Sequence, residues 1–293
     1  MSISKALPTT ELSASIACVA APYLSVVVLC YRSGRSMIPL IERLRYVLSR
    51  CNFTWELVLV GNYIEGSDDE TPEVVRELAE RWPNVSAVVR PKEGMMGWDM
   101  RMGLNAARGE YLGVIDGDGQ FPVEAVIACL LKAEMDGLDL TKTYRVRRDD
   151  GIYRRVISYV YYGLFKLLFG LQIHDVNSKP KIIRRDKYEL LNLESDDWFA
   201  DAEIMIRAKQ AGLSIGEIPV HFALNETRGS FVKPRAIFEF AANLIRYRFG
   251  NRKPRLEAKP VANGLRPSGR LPSGHPEAKV VHPAKITDAN SGD

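Results

Sequence analysis

Apolar residues along this chain fall into two alternating kinds of run. The short ones, Tyr23–Cys30 (YLSVVVLC), Trp55–Val60 (WELVLV), Val85–Val89 and Tyr111–Ile115, are of strand length and rich in Val, Ile and Leu. Runs of that kind suit strands buried on both faces. Between them the spacing turns helical. Met37–Arg50 sets Ile38, Ile41, Leu44, Val47 and Leu48 on one side, as an amphipathic helix does. Pro72–Arg81 carries acids early and bases late, the order a helix dipole favours, and Gly97–Ala107 supplies a third helix. This β-α-β-α-β-α-β alternation predicts a parallel sheet with helices on both faces.

The pattern continues with a helix from Pro122 to Met135 and a strand over Leu138–Tyr144. A cationic stretch follows, with Arg145, Arg147, Arg148, Arg154 and Arg155. Val156–Phe169 is then apolar nearly all round but too short to span a bilayer. It reads either as a core helix or dimer contact, or as an interfacial helix with Tyr159, Tyr161 and Tyr162 at the headgroup level. Asp201–Ala211 is helical. Ser214–Leu224 is a strand that contains Pro219, so it belongs at an edge or a bend. Arg235–Phe249 is an amphipathic helix ending in Arg246 and Arg248.

Composition narrows the class. The 293 residues are 46% hydrophobic and 26% charged, ordinary for a soluble globular protein with a real core. The net charge of +4 resides in the Pro- and Gly-rich segment 251–293, which is expected to be disordered. The body is balanced, so a nucleic-acid-binding surface is not implied. Cys18, Cys30, Cys51 and Cys129 form no CxxC pair and suggest small buried hydrophobes in a reducing compartment. The four histidines include two, His275 and His282, in the tail, which leaves little material for His chemistry. No secretory or spanning segment is expected.

One stretch concentrates chemistry. In Tyr111–Glu124 (YLGVIDGDGQFPVE) a buried strand stops at Asp116, a Gly-Asp turn follows, and Pro122 opens a helix. Asp116 and Asp118 therefore stand at the carboxyl end of a strand with Gln120 beyond them, where open α/β sheets bind ligands. Two adjacent carboxylates repel unless a cation sits between them. Mg²⁺ and Mn²⁺ take oxygen ligands of this kind and are often shared with phosphates. A solvated Asp-Gly turn is the alternative for so short a motif.

Context favours the ligand site, because several pieces occur in one order. Tyr31 follows the first strand. Gly66-Ser67 and Asp69-Glu70-Thr71 follow the second. Gly97, Gly103, Ala107-Arg108-Gly109 and Tyr111 lead into Asp116-Gly117-Asp118-Gly119-Gln120. Asp175…Ser178, Phe199-Ala200-Asp201-Ala202-Glu203 with Arg207-Ala208, Gly212…Ile215…Glu217…Pro219-Val220…Phe222, and Arg228-Gly229-Ser230 come after. Together these resemble the inverting family 2 glycosyltransferases of the GT-A fold, nearest to the dolichyl-phosphate mannose synthase and polyprenyl-phosphate glycosyltransferase branch. The likeness covers Tyr23 to Lys233. It implies a loose lead-in over residues 1–22, a GT-A domain over 23–250 with a Rossmann-like, mostly parallel sheet and a C-terminal amphipathic helix, and the tail 251–293.

The resemblance also implies roles. Asp116, Asp118 and Gln120 would hold Mg²⁺ or Mn²⁺ against the diphosphate of a UDP- or GDP-sugar. Tyr31 would lie near the base, with Asn62 where the family usually has an Asp. Arg145 and Arg147 are candidates to grip an acceptor phosphate, since guanidinium binds phosphate bidentately. Arg228 and Ser230 would close over the diphosphate. Glu203, rather than Asp201, would be the general base if the acceptor is a hydroxyl; an ionised lipid phosphate needs none. The implied partners are a nucleotide sugar and either a polyprenyl phosphate or a saccharide hydroxyl. Peripheral attachment to the cytoplasmic membrane face is expected, with homo-oligomerisation left open. Lys179-Pro180-Lys181 departs from the branch, which usually reads Gly-Phe. That departure and Asn62 keep a non-catalytic nucleotide-sugar-binding protein in view as a third reading.

Overall fold

The computed structural model describes residues 20–147, 162–223, 242–245 and 247–249. The expected lead-in over 1–19, the candidate residues Arg228 and Ser230, the segments 156–161 and 235–241 and the tail lie outside these, as does the side chain of Arg147.

Strand β1 (Leu24–Leu29) is followed by a 3-10 turn (Gly34–Met37) and α1 (Ile38–Ser49). Then come β2 (Trp55–Val60), α2 (Thr71–Arg81), β3 (Val85–Val88), α3 (Met96–Ala106), β4 (Tyr111–Asp116) and α4 (Glu124–Met135). Strand β5 (Leu140–Arg147) precedes a helix α5 over residues 162–169, and β6 (Lys181–Arg184), α6 (Arg185–Leu191), α7 (Ala200–Gln210) and β7 (Ile215–His221) complete the order. The expected alternation is thus present. Strand β6 and helix α6 had no periodic signal of their own, because each is a single short stretch.

The seven strands form one sheet in the order β3-β2-β1-β4-β6-β5-β7. Strands β3, β2, β1 and β4 are parallel, as are β5 and β7; β6 runs antiparallel to both neighbours. β7, with Pro219, lies at the sheet edge, where the missing N–H is tolerated.

Alternation along β1 divides the core. Leu24, Val26 and Val28 pack with Ile41 and Leu44 of α1, Val75 and Leu78 of α2, and Val126 and Leu130 of α4. Val27 and Leu29 face the other way, with Met100 and Leu104 of α3 and Ala202 and Met205 of α7. Period-two side chains thus feed both layers. Phe165 of α5 is fully buried in the second layer, with Leu164, Leu168 and Phe169 packed against it, so one side of the described part of the Val156–Phe169 run joins the core. Leu167 remains 81% exposed.

Candidate active site

The carboxyl ends of β1, β2 and β4 lie side by side. Leu29 is in register with Asp116 and with Val60. The chain leaves these ends through Cys30-Tyr31, Gly61-Asn62 and Gly117-Asp118, so the expected residues converge on one edge.

The Asp116–Gln120 turn is held tightly. Gly117 donates its N–H to the Leu29 carbonyl at 2.9 Å. A Cβ at Gly117 would sit 2.8 Å from that same oxygen, so the close approach requires glycine. Gly119 has φ +75°, which glycine adopts without strain. Asp118 Oδ1 accepts the Gln120 N–H at 3.1 Å. The Gln120 amide donates Nε2–H to the Ala223 carbonyl at 3.0 Å, and the Ala223 N–H returns to the Gln120 carbonyl at 2.9 Å. The turn is thereby tied to the chain just after β7.

On the β2 side, Asn62 is 1% exposed. Its Nδ2 donates to Asp99 Oδ1 at 2.8 Å, and its Oδ1 accepts the Arg90 N–H at 2.9 Å. An amide can do both, whereas a carboxylate could only accept. Asp99 also pairs with Lys92, whose ammonium lies 4.2 Å from the centre of the Tyr31 ring. Burial raises the Asp99 carboxyl above its usual value, against the pull of Lys92 and Asn62. Lys92 and Asp99 were not singled out from sequence. The available signal was a lone acid among the buried Gly97, Trp98 and Met100 of α3.

On the β6 side, antiparallel register decides the chemistry. Val114 pairs with Lys181. Two residues on along β4, and two back from Lys181, Asp116 meets Lys179. The Lys179 ammonium lies 3.3 Å from Asp116 Oδ1 and 2.9 Å from Asp201 Oδ2, and Lys181 donates to Asp201 Oδ1 at 2.5 Å. Both lysines and Asp201 are buried; the Asp116 side chain is 28% exposed. Burial alone would lower Lys179, but Asp116 and Asp201 more than offset it and its pKa is raised. Lys181 is lowered to about 8 by burial and by its neighbours Lys179 and Lys142, despite Asp201. Asp201 is held below its usual range by the two lysines, against its burial.

Glu203 is also fully buried. Its oxygens accept the N–H groups of Glu194 (3.0 Å) and Ser195 (2.8 Å) and the Arg207 guanidinium at 3.0 Å. At the end of β5, Arg145 grips Asp175 through two hydrogen bonds and lies 5.0 Å from the Phe222 ring centre.

Asp116, Asp118 and Gln120 carry side-chain oxygens of the hard kind that Mg²⁺ and Mn²⁺ take, although Asp116 is paired with Lys179 here. Among the described residues no group of three or more His, Cys, Asp or Glu is gathered for a metal.

The glycosyl transferase family 2 domain matches residues 25–191. A dolichyl-phosphate beta-glucosyltransferase of Trichomonas vaginalis is 27% identical over 78% of this chain and 73% of its own. A dolichol-phosphate mannosyltransferase of Pyrococcus furiosus is 27% identical over 76% of this chain and 62% of its own. Among solved structures, glucosyl-3-phosphoglycerate synthase from Mycobacterium tuberculosis, in complex with Mn²⁺, UDP and phosphoglyceric acid, superposes with a TM-score of 0.57 at 16% identity, covering 79% of this chain and 80% of that one. At that identity the likeness is one of fold.

Proposed function

The chain belongs to glycosyl transferase family 2, and from that premise we propose that this glycosyltransferase moves a sugar from a nucleoside diphosphate sugar to a polyprenyl phosphate. The observation that carries the reading is the Asp116–Gln120 turn at the carboxyl edge of β4, in register with the end of β1. The polyprenyl-phosphate relatives support the acceptor.

In this reading Tyr31 and Asn62, with Lys92 and Asp99 behind them, shape the side of the cleft that takes the nucleotide base. Asp116, Asp118 and Gln120 would hold a divalent ion, Mg²⁺ or Mn²⁺, which would supply charge neutralisation to the leaving diphosphate. Arg145 presents a guanidinium to the acceptor phosphate, with Asp175 fixing its plane. Arg147, Arg228 and Ser230 add to phosphate binding. The acceptor phosphate attacks the sugar C1, the bond from C1 to the donor diphosphate breaks, and its electron pair leaves with the nucleoside diphosphate. The acceptor phosphate is already ionised, so no base is needed. Glu203 accordingly acts by anchoring residues 194–195 and Arg207, rather than by taking a proton.

Among the described residues no helix is long and apolar enough to cross a membrane. We assign the protein to the cytoplasmic membrane face through an interfacial patch. Leu167, Ile245 and Phe249 are exposed, and Arg248 ties its short helical segment to α5 by donating to the Leu168 carbonyl at 3.1 Å. Apolar residues beside a cation suit a lipid surface.

The test is sugar transfer from UDP- and GDP-sugars to polyprenyl phosphate by the wild type and by Asp118→Ala. The variant is expected to retain its circular dichroism spectrum and to lose turnover. Full turnover by a folded Asp118→Ala enzyme would remove the donor site from the proposal.

A further inference from the structure

Lys179 belongs to the Lys179-Pro180-Lys181 stretch that departs from the resembled branch. It lies two residues before β6 with its ammonium against Asp116, yet its side chain is only 4% exposed. It is oriented from behind by Asp201, which is itself fixed by Lys181. Lys181 in turn donates to the Ser178 carbonyl at 2.8 Å. The ammonium of Lys179 therefore cannot swing into the cleft as a surface lysine would. Among the described residues, the carboxylate through which it reaches the proposed donor site is Asp116.

That placement changes the charge of the donor site. Two bare carboxylates repel a diphosphate, and a divalent ion must overcome that repulsion before the nucleotide binds. With Lys179 against Asp116, one of the two negative charges is already balanced by a permanent cation in a poorly solvated position, where it is weakly screened. Resting on the donor-site reading above, we infer that Lys179 is a positioning residue that gives the site a built-in positive charge, so that the nucleoside diphosphate binds with less help from a divalent ion than two unpaired carboxylates would require. The same charge opposes divalent-ion binding. Lys179 thus shifts the balance between metal and diphosphate in opposite directions, which a loss of structural support cannot do.

The experiment titrates the full chain and Lys179→Met with UDP and GDP in EDTA, and separately with MnCl₂ in the absence of nucleotide. Isothermal calorimetry and the electron paramagnetic resonance of free Mn²⁺ provide the readouts. One unit charge a carboxylate away shifts the binding of a divalent ion by about tenfold even at the dielectric of water. Lys179→Met should therefore bind Mn²⁺ about tenfold more tightly and bind the metal-free diphosphate about tenfold more weakly. Lys179→Arg, which keeps the charge, should stay near the wild type in both. Changes of the same sign in both titrations, or no change, would overturn the inference. If Lys179→Met fails to fold, Lys179→Gln carries the same expectation. The wild type also decides by itself, since failure to bind UDP or GDP in EDTA while binding with Mn²⁺ refutes the built-in charge and leaves the transferase reading standing. Absence of diphosphate binding under both conditions removes the donor site and this inference with it.

Discussion

Arg145 Nε donates to Asp175 Oδ2 at 2.6 Å while its Nη2 donates to Asp175 Oδ1 at 3.0 Å. A two-point fork of this kind fixes the plane of the guanidinium, which a single contact would not.

Arg145→Lys keeps the charge and loses the fork. On the proposed acceptor role it should lower kcat/KM for polyprenyl phosphate by about tenfold or more, because arginine and lysine are not equivalent at bidentate phosphate sites. Binding of the nucleoside diphosphate should be unchanged. Steady-state kinetics at varied acceptor and donor separate the two; an equal loss on both sides would count against the acceptor role.

Glu203→Gln removes a buried charge that accepts two backbone N–H groups and the Arg207 guanidinium. Hydrogen bonds to charged groups contribute about 1.5–3 kcal/mol, so thermal unfolding should shift down by several degrees. Turnover measured well below that midpoint should fall by less than about tenfold, with no change in the basic or acidic limb of its pH profile. A collapse of turnover with an intact melting curve would instead make Glu203 a base and the acceptor a hydroxyl.

Gly117→Ala places a methyl 2.8 Å from the Leu29 carbonyl oxygen. Overpacking of this sort costs about 1–3 kcal/mol, and here it also forces the Asp116–Gln120 turn away from β1. Loss of nucleotide binding should exceed what the drop in stability explains. A variant that melts lower yet binds normally would show that the turn tolerates displacement.

Glu56 lies in the buried strand β2, accepting the Ser25 hydroxyl at 2.6 Å, and the Arg108 N–H and Nη2, each at 2.7 Å. Burial raises its pKa, but the hydrogen bonds from Ser25 and Arg108 outweigh that and hold it below the usual range. A carboxyl depressed in the folded state stabilises fully above its unfolded pKa and loses that stabilisation as pH falls through the folded value. Glu56→Gln should therefore melt lower than the wild type near neutral pH, and the gap should close as pH drops below the usual Glu value of 4.5. Melting curves from about pH 7 to about pH 3 provide the check; a gap that stays constant would mean that the charge is irrelevant.

Leu167→Asp combined with Phe249→Asp should reduce sedimentation with anionic liposomes at least about fivefold, since it places two charges on the proposed interfacial patch. Unchanged sedimentation would assign lipid contact elsewhere.

Periodicity alone determined the order of strands and helices from β1 to α4, because runs of Val and Leu and helical apolar stripes are local signals of burial. It also placed Asp116, Asp118 and Gln120 at a strand end, since Gly and Pro mark where the strand stops. Pro219 limited its strand to an edge or a bend, and the sheet order made it the edge. Tertiary structure alone decided what surrounds those carboxylates. Lys179 meets Asp116 only because β6 runs antiparallel to β4 in one register, and a strand of four residues carries no period that could announce it. Folding likewise decided the burial and the partners of Asn62, Asp201 and Glu203. Their sequence shows polar residues, whereas most of the partners that satisfy them, Arg90, Asp99, Lys179, Lys181 and the backbone of Glu194–Ser195, arrive from segments that only folding brings together; Arg207, one turn from Glu203 on α7, is the local exception. A buried polar group requires partners, but which partners come is a property of the packed chain.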